Sequence, residues 1–331
     1  MSGLTPIATV FGGSGFIGRY VTHRLAQAGW RVRVAVRRPN EALFVRSYGV
    51  VGQVEPVQAN IRDEASTARA IAGASVVVNC VGILVEVGRQ RFDAVQDEGA
   101  GRIARLAAAA GVERLVHVSA IGADPDSPSQ YGRSKAAGEA AVQAAFPGAV
   151  ILRPSVVFGV EDGFFNRLAG LAQMLPVMPV FGAHTRFQPV YVDDVAAAAV
   201  KAATEEVPPG IYELGGPETA SFRDLVEETL RVINRRRMVI AVPAPLARMK
   251  AGFFDLVQRA SFGLVTNRLI TADQLRLLQR DNVVAEGAAG LAELGIAATP
   301  MDVVLESYLY AYRRHGQYRT EDSPTPVEHN G

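Results

Sequence analysis

Short apolar runs alternate with helical stretches along most of the chain. The first unit has an apolar run from Ala8 to Phe11, a glycine-rich turn, a helical repeat from Phe16 to Ala28 and a second apolar run from Val32 to Val36. Apolar runs of this length that alternate with helices are typical of βαβ units, in which crossover helices join parallel strands. The pattern therefore predicts an α/β fold built on a doubly wound parallel sheet.

The same alternation predicts the later elements. Further strands are expected at 52–58, 75–83, 114–122, 149–159 and 238–242. Helices are expected at 64–72, 95–111, 129–146, from about Val195 onward, at 222–233 and at 300–314. Asp193 and Asp194 fall just before the helix that begins near Val195, where acidic side chains cap a helix and favour its positive end. They are therefore interpreted as capping residues and not as a catalytic pair.

Four glycines punctuate the turn between the first strand and the first helix. Glycine permits tight turns and close backbone approach, and the free N–H groups of a helix start attract a pyrophosphate. A glycine turn also occurs as a plain helix cap, but here it lies in the strand–turn–helix–strand context of a dinucleotide site. The predicted phosphate cradle consists of Gly12, Gly13, Ser14, Gly15, Phe16, Ile17 and Gly18.

Two arginines follow the second strand. Dinucleotide sites that prefer NAD usually carry an acidic residue there, whereas an arginine suits the 2′-phosphate of NADP. Arg37 and Arg38 follow the strand with no acid before Glu41. A guanidinium matches phosphate geometry, so NADP(H) is the expected cofactor. The alternative is that both arginines are ordinary solvated loop residues.

Composition narrows the classes of partner. A net charge of +1 gives no broad positive field, so no nucleic-acid partner is expected. Cys80 is the single cysteine, which excludes an internal disulfide and suits a reducing compartment. No secretory signal and no apolar run long enough to span a bilayer is visible, so a soluble or peripheral protein is expected. Nothing in the sequence points to a metal site.

Candidate chemistry follows the predicted fifth strand. Tyr131 and Lys135 are four residues apart, so they share one face of the predicted helix 129–146. An ammonium there favours tyrosinate and can bind a ribose hydroxyl. This pair resembles that of the short-chain dehydrogenases, in which a Ser or Thr at the end of the fifth strand polarises the substrate carbonyl. Here the strand end reads Ser119-Ala120, and the preferred register puts Ala120 at that place. Hydride chemistry is therefore in doubt, and Ser119, Tyr131 and Lys135 are interpreted as vestigial catalytic candidates that still line the cofactor site.

These motifs resemble the extended and atypical short-chain dehydrogenases, whose glycine pattern is G-x-x-G-x-x-G and whose catalytic pair is Tyr-x-x-x-Lys. The resemblance implies a Rossmann-type sheet with further cofactor contacts. It implies that Asn60 and Ile61 flank the adenine and that the strand end at Cys80, Val81 and Gly82 approaches a ribose. It also implies that Pro154, Ser155 and Val156 cover the nicotinamide. Gly82 is equally interpretable as an ordinary strand-end glycine.

Longer stretches resemble one branch of this superfamily, the NADPH-binding accessory subunit of respiratory complex I (NADH:ubiquinone oxidoreductase). They include "VFGGSGFIG", "GVERLVHVSA", "QPVYVDDVA" and "LGIAATPMDVV" followed by "RRHGQYR". The resemblance implies a structural NADPH off the electron-transport path and a position on the peripheral arm near the membrane and the quinone site. Other complex I subunits and lipid headgroups are the implied partners. The expected location is the cytoplasmic face of a bacterial inner membrane, or the matrix side in a mitochondrion.

A division into lobes follows from length and motifs. We predict a Rossmann domain over 1–160 and about 188–215, a smaller C-terminal α/β docking lobe over 161–187 and 216–318, and a flexible polar tail over 319–331. Within the lobe, 245–265 reads as an amphipathic helix. The segment is interpreted either as packing on its own core or as a docking face for a membrane or subunit.

Three hypotheses follow. The chain is a complex I subunit that uses NADPH as a folding and docking ligand, with no turnover of its own. Alternatively, it is a free NADPH-dependent reductase or epimerase, or a nucleotide-sensing regulator. Ala120 disfavours the reductase, and the aromatic, basic end at 308–315 favours the subunit.

Overall fold

A computed structural model describes residues 5–242 and 272–314 of the 331-residue chain. In this part of the chain, seven parallel strands form one sheet. The strands are β1 (Ile7–Phe11), β2 (Arg31–Val36), β3 (Val54–Gln58), β4 (Val76–Asn79), β5 (Arg114–Val118), β6 (Val150–Pro154) and β11 (Gly210–Leu214). Their order across the sheet is β3-β2-β1-β4-β5-β6-β11. The order reverses beside β1, which is the point where open α/β sheets bind ligands beyond their carboxyl ends.

Helices cover both faces of the sheet and bury its apolar residues. The helices are α1 (Phe16–Gln27), α2 (Glu64–Ile71), α3 (Glu98–Ala109), α4 (Gln130–Ala145) and α6 (Val192–Thr204). One face packs Val21 and Leu25 of α1 and Val195 of α6 into a common cluster. The other face packs Ile103 of α3 and Val142 of α4 into a second cluster. Strands buried on both faces explain the continuous valine-rich runs of the sequence.

Further short strands and helices, most of which border a third apolar cluster, follow in the rest of the described part. They are β7 (Val157–Phe158), α5 (Phe165–Met174), β8 (Val177–Phe181), β9 (Arg186–Phe187), β10 (Val190–Tyr191), β12 (Ala220–Ser221), α7 (Phe222–Val232), β13 (Met238–Val242), α8 (Ala272–Leu277) and α9 (Met301–Leu309). A capping box between Ser221 and Asp224 begins α7. The third cluster contains Phe165 of α5, Leu225 of α7 and Leu305 of α9.

The α/β fold is confirmed, and several element predictions need correction. The predicted strands 75–83 and 114–122 end earlier, at Asn79 and Val118, and the predicted helix 300–314 ends at Leu309 and continues only as a 3-10 turn. The predicted strand 149–159 is interrupted after Pro154, and β7 pairs with β10 outside the main sheet. The predicted helix 95–111 starts as a π-helical turn over Asp93–Asp97 before α3 begins at Glu98. The predicted helix near Val195 begins at Val192.

The earlier start of α6 changes the role of its two acidic residues. Neither caps the helix; both lie in its first turn. Asp193 makes a bidentate pair with Arg24 of α1, at 2.6 and 2.8 Å. Asp194 accepts hydrogen bonds from the backbone N–H and hydroxyl of Thr299, at 2.7 and 2.9 Å. The two carboxylates therefore connect α6 to the first helix and to the C-terminal segment.

Some expectations concern residues outside the described part. The amphipathic segment 245–265, His315 and the tail 319–331 lie there. The division into two lobes stays a prediction. Within the described residues, Leu291 and Leu294 pack with the sheet cluster rather than with the third cluster.

Candidate functional site

The glycine turn after β1 is shaped by contacts that leave no room for side chains. A Cβ atom added at Gly18 would lie 2.2 Å from the carbonyl oxygen of Gly12. Gly12 itself has φ of 72°, and its Cβ would lie 3.3 Å from the backbone of Cys80 at the end of β4. Glycine is therefore required at both positions, because the turn packs against α1 and against β4.

The start of α1 offers free backbone donors. Within the described residues no side chain caps the helix, whose N-cap is Gly15. The first N–H groups of a helix have no partner inside it, and the aligned peptide dipoles favour an anion there. Ser14, Phe16 and Ile17 are each half-buried beside this turn. The predicted cradle residues thus form one surface that suits a phosphate group.

Arg19 and Glu161 hold this turn in place, and the sequence analysis missed both. The guanidinium of Arg19 donates to the carbonyl oxygens of Ser14 and Gly15, at 3.3 and 3.4 Å. It also pairs with Glu161 at 2.9 Å and lies 5.1 Å from the centre of the Phe44 ring. An arginine directly after Gly18 was the available signal, whereas Glu161 comes from a loop 142 residues away.

The two arginines after β2 differ in their surroundings. Both are exposed, and Arg38 pairs with Glu41 at 2.9 Å. Arg37 has no hydrogen bond or ion pair with any other residue that the structure describes. An exposed guanidinium without a partner, at the end of β2, suits a 2′-phosphate better than one already paired with a carboxylate.

The predicted adenine and ribose contacts lie along the same edge of the sheet. Asn60 uses its side-chain oxygen to accept from the backbone of Arg62 at 3.2 Å, which stabilises the turn after β3. Ile61 is buried against α3, where a Cβ at Gly99 would lie 2.6 Å from its side chain. The backbone N–H of Val81 donates to Asn79 at 3.1 Å. A Cβ at Gly82 would lie 3.3 Å from the Nζ atom of Lys135, so the β4 end reaches the predicted catalytic pair.

The structure brings the tyrosine and the lysine of α4 together. The Nζ atom of Lys135 lies 6.0 Å from the centre of the Tyr131 ring and donates to the carbonyl of Val118 at 3.3 Å. Ser119 is buried, whereas Ala120 is half-buried and presents only a methyl group. A hydroxyl that could polarise a carbonyl is therefore not provided by Ala120.

Burial controls the ionisation of this group of residues. It raises the pKa of Tyr131 to about 12, so the expected stabilisation of tyrosinate by Lys135 does not dominate. Burial lowers the pKa of Lys135 to about 8, and the nearby Glu139 opposes that shift. It also raises the pKa of the Cys80 thiol to about 12, which disfavours the thiolate that reacts with electrophiles.

Three buried polar atoms near the pair have no hydrogen-bond partner in the described part of the chain. They are the Oγ of Ser119, the Oε1 of Gln96 and the Nε2 of His117. Gln96 lies in the π-helical turn before α3, and its Oε1 is 3.9 Å from a Cβ built at Gly82. Buried polar atoms without partners are costly and mark places where a ligand or water completes the bonding. The sequence analysis missed Gln96 and His117, although a polar residue within an apolar strand was a signal for the latter.

These observations fit a phosphorylated dinucleotide. The backbone cradle would bind the pyrophosphate of the dinucleotide, and Arg37 would bind its 2′-phosphate. Lys135, together with Ser119 or Gln96, would bind the polar groups of the dinucleotide that lie beyond β4 and β5. The cofactor contacts themselves stay predictions. Such a cofactor carries a hydride when reduced, whereas the protein side supplies binding and orientation.

The predicted nicotinamide cover is already bonded to other parts of the chain. The carbonyl oxygen of Pro154 accepts from the backbone N–H of Ile121 at 3.0 Å. The carbonyl oxygen of Val156 accepts from the backbone N–H of Val190 at 2.9 Å. The hydroxyl of Ser155 lies 2.7 Å from the Oδ1 atom of Asn282. Asn282 was not anticipated because it comes from a segment 127 residues further along the chain.

Acidification is expected to destabilise the protein through His117. Burial, with a contribution from Lys135, lowers the pKa of His117 to about 3. Between that value and the ordinary value of about 6.5 the unfolded chain binds a proton that the folded chain does not, so stability falls as pH falls, by about 1.4 kcal/mol per unit. Urea unfolding across this range should show a shallower slope for His117→Gln. The exposed His184→Gln control should keep the wild-type slope; an unchanged slope in His117→Gln would contradict the assignment.

Other features of the surface carry no assigned role. A cleft of about 550 Å³ lies at the opposite edge of the sheet, beside the starts of β5 and β6. In the described residues, no cluster of histidine, cysteine or acidic side chains is arranged to hold a metal ion. None of the helices described there combines the length and apolar character that a membrane crossing needs.

The fold and the site define a class of nucleotide-binding proteins. The chain belongs to the NAD dependent epimerase/dehydratase family, whose pattern it matches over residues 8–215. The structure titled "Crystal structure of gox2253" has the same fold, with a TM-score of 0.71 and 21% identity, covering 95% of this chain and all of that chain.

Within this class the chain belongs to the family of NADH dehydrogenase (ubiquinone) 1 alpha subcomplex subunit 9. The mitochondrial protein of that name from Arabidopsis thaliana is 34% identical over 316 residues, or 94% of this chain and 79% of that protein. The ceramide reductase of Caulobacter vibrioides is 33% identical over 241 residues, or 72% of this chain and 74% of that protein.

Proposed function

We propose that this chain is an accessory, non-redox subunit of respiratory complex I that holds NADPH as a structural ligand. The supporting observation is the extent of the similarity. The Arabidopsis complex I subunit matches 94% of the chain, whereas the ceramide reductase matches 72%. The relative that matches more of the chain is the better guide to the function of the whole.

The site supports this role more than turnover. The glycine cradle, and Arg37 without a partner among the described residues, suit tight binding of a phosphorylated dinucleotide. Ala120 supplies no hydroxyl, and burial keeps Tyr131 protonated at neutral pH, so the catalytic pair lacks its usual support. A ligand that binds only the folded state stabilises it by mass action, which is sufficient reason to retain the cofactor without chemistry.

The proposed place follows from the same family. We propose that the chain lies on the peripheral arm, against other complex I subunits and lipid headgroups, near the membrane and the quinone site. In a bacterium this is the cytoplasmic face of the inner membrane, and in a mitochondrion it is the matrix side.

A second candidate function is an NADPH-dependent reductase that acts on its own. The Tyr131–Lys135 pair and the similarity to the ceramide reductase favour it. Tyr131→Phe separates the two, because a reductase would lose its activity, whereas a structural subunit would leave NADH oxidation by the assembled complex nearly unchanged.

Purification of the tagged chain from membranes of its own host tests the proposal. We expect complex I subunits and NADPH to copurify with it in mild detergent. Arg37→Ala should lose most of the NADPH, because its exposed guanidinium has no partner in 5–242 or 272–314 and can pair with a 2′-phosphate. Arg38→Ala is the control and should keep more cofactor, since Arg38 already pairs with Glu41. Recovery of the chain without complex I subunits would contradict the proposal that it is a subunit of that complex. Equal NADPH content in the two arginine variants would contradict the role of Arg37.

A further inference from the structure

We infer that residues 273–285, named the strap, occupy the place of a second substrate, so that this site accepts a dinucleotide and nothing beside it. The inference rests on the proposed function, in which NADPH is the bound ligand. The strap crosses the carboxyl ends of β5 and β6, next to Tyr131. In parallel α/β sheets, ligands lie beyond those ends.

Asn282 makes the central contact of the strap. Its backbone oxygen and its Oδ1 lie 2.9 and 2.7 Å from the hydroxyl of Ser155, which follows β6. Its Nδ2 donates to the carbonyl of Ile121, which follows β5, at 3.4 Å. One asparagine thus bonds to the ends of two neighbouring strands, as a substrate hydroxyl or carbonyl would.

The backbone of the strap adds a second set of bonds at the same place. The backbone N–H of Asn282 donates to the carbonyl oxygen of Arg186 at 2.8 Å, and the carbonyl oxygen of Asn282 accepts from the backbone N–H of Gln188 at 3.1 Å. The N–H of Arg186 donates in turn to the carboxylate of Asp281 at 2.8 Å. The strap therefore pairs with the chain segment around β9 as a short strand would, and Phe187 and Asn282 form a parallel bridge.

Asp273 fixes the first end of the strap on the helix that carries Tyr131. Its carboxylate accepts from the hydroxyl of Ser129 at 2.7 Å and from the backbone N–H groups of Gln130 and Tyr131, at 2.8 and 3.1 Å. These donors lie at the start of α4, where the helix dipole favours a negative charge. An anionic group of a substrate has no free helix start to bind there.

Two further contacts fasten the strap to the rim. Arg280 pairs with Asp124, in the loop between β5 and α4, at 2.7 Å. The N–H of Ala285 donates to Glu213 of β11 at 2.9 Å. The strap is thus bonded to α4, to the β5–α4 loop, to β6 and to β11.

The two halves of the site differ in whether their buried polar groups have hydrogen-bond partners among the described residues. Beneath the strap, the hydroxyl of Ser155 and the carbonyl of Ile121 are bonded to Asn282. On the side of Lys135, the Oγ of Ser119 and the Oε1 of Gln96 have no partner among the described residues. Buried polar groups require partners. One half of the site therefore needs a ligand to complete its bonds, and the half under the strap does not.

The test combines two measurements on the full-length protein. Collisional quenching of the fluorescence of bound NADPH by acrylamide reports exposure of its nicotinamide. Amide hydrogen exchange at Arg186, Gln188 and Asn282 reports the strap directly, with or without cofactor. The variant is Asp273→Ala with Asn282→Ala, which removes two of the side-chain anchors of the strap and leaves those of Arg280 and Asp281, and the cradle, intact. The control is Glu286→Ala, an exposed residue directly after the strap.

In the wild type and in the control, we expect acrylamide to quench bound NADPH only weakly and the three amides to exchange slowly. The double variant should exchange the three amides about tenfold faster or more, and its bound NADPH should become more quenchable. The inference about the strap would be overturned if acrylamide quenched NADPH bound to the wild type as readily as free NADPH. It would also be overturned if the three amides exchanged without protection. Absence of NADPH from the wild type would instead overturn the proposed function, and protected amides would still support the strap over β5 and β6.

Discussion

Gly18→Ala is expected to abolish NADPH binding and to lower the free energy of unfolding by about 3 kcal/mol. The added Cβ would lie 2.2 Å from the carbonyl oxygen of Gly12 and 2.8 Å from the Cα of Gly13. Both neighbours are backbone atoms, so no side-chain movement can relieve the overlap. The first turn of α1 must move away from the glycine turn, and the cradle of N–H groups is lost with it.

Gly170→Ala is the matched control for this prediction. Gly170 also lies within a helix, α5, but its nearest neighbour would be a ring carbon of Tyr312 at 4.0 Å. Alanine should therefore stabilise the protein by about 0.5–1 kcal/mol, since it reduces the freedom of the unfolded chain. Urea unfolding and the absorbance of released cofactor measure both effects. Normal NADPH content in Gly18→Ala would show that the cradle does not hold the phosphates.

Arg153→Met is expected to cost about 3–5 kcal/mol, because it leaves two largely buried carboxylates without their cation. Arg153 makes a bidentate pair with Glu139 of α4, at 2.6 and 2.9 Å, and approaches Glu213 of β11 at 3.5 Å. The carboxylate side chains are only 5% and 13% exposed. The group joins α4, β6 and β11, so its loss should also loosen the helix that carries Lys135.

A surface pair provides the comparison for Arg153. Arg105 and Glu64 make a similar contact at 2.8 Å, but their side chains are 53% and 58% exposed. Arg105→Met should therefore change stability by less than about 1 kcal/mol. Adding Glu139→Leu to Arg153→Met should recover part of the loss, because it removes one of the unpaired charges. Denaturant unfolding of the four proteins is the measurement, and equal losses in the two arginine variants would contradict the burial argument.

The fold was predictable because its signals are local. The apolar runs, the spacing in α1 and α4 and the glycine turn depend on residues close in sequence, and the bounds of β13 at Met238–Val242 were predicted correctly. The errors occurred where an element depends on contacts elsewhere. The helix before α3 widens into a π-helical turn at Gln96, whose carbonyl would be 1.9 Å from a Cβ at Gly138 of α4. No pattern within 93–111 encodes that contact.

By itself, then, the sequence determined the class of fold, the position of the glycine turn, the proximity of Tyr131 and Lys135 on one helix, and the family; the phosphate cradle stays a prediction. Glycine conformation and helical periodicity are properties of short segments, so they can be deduced without coordinates. Tertiary structure alone decided which of Arg37 and Arg38 has a partner within the described part of the chain, which buried polar atoms lack one there, and which residue covers Ser155. Each of these depends on side chains that meet from distant parts of the chain, as Asn282 meets Ser155 across 127 residues. Such contacts follow from how the layers pack, and the spacing of residues does not specify them.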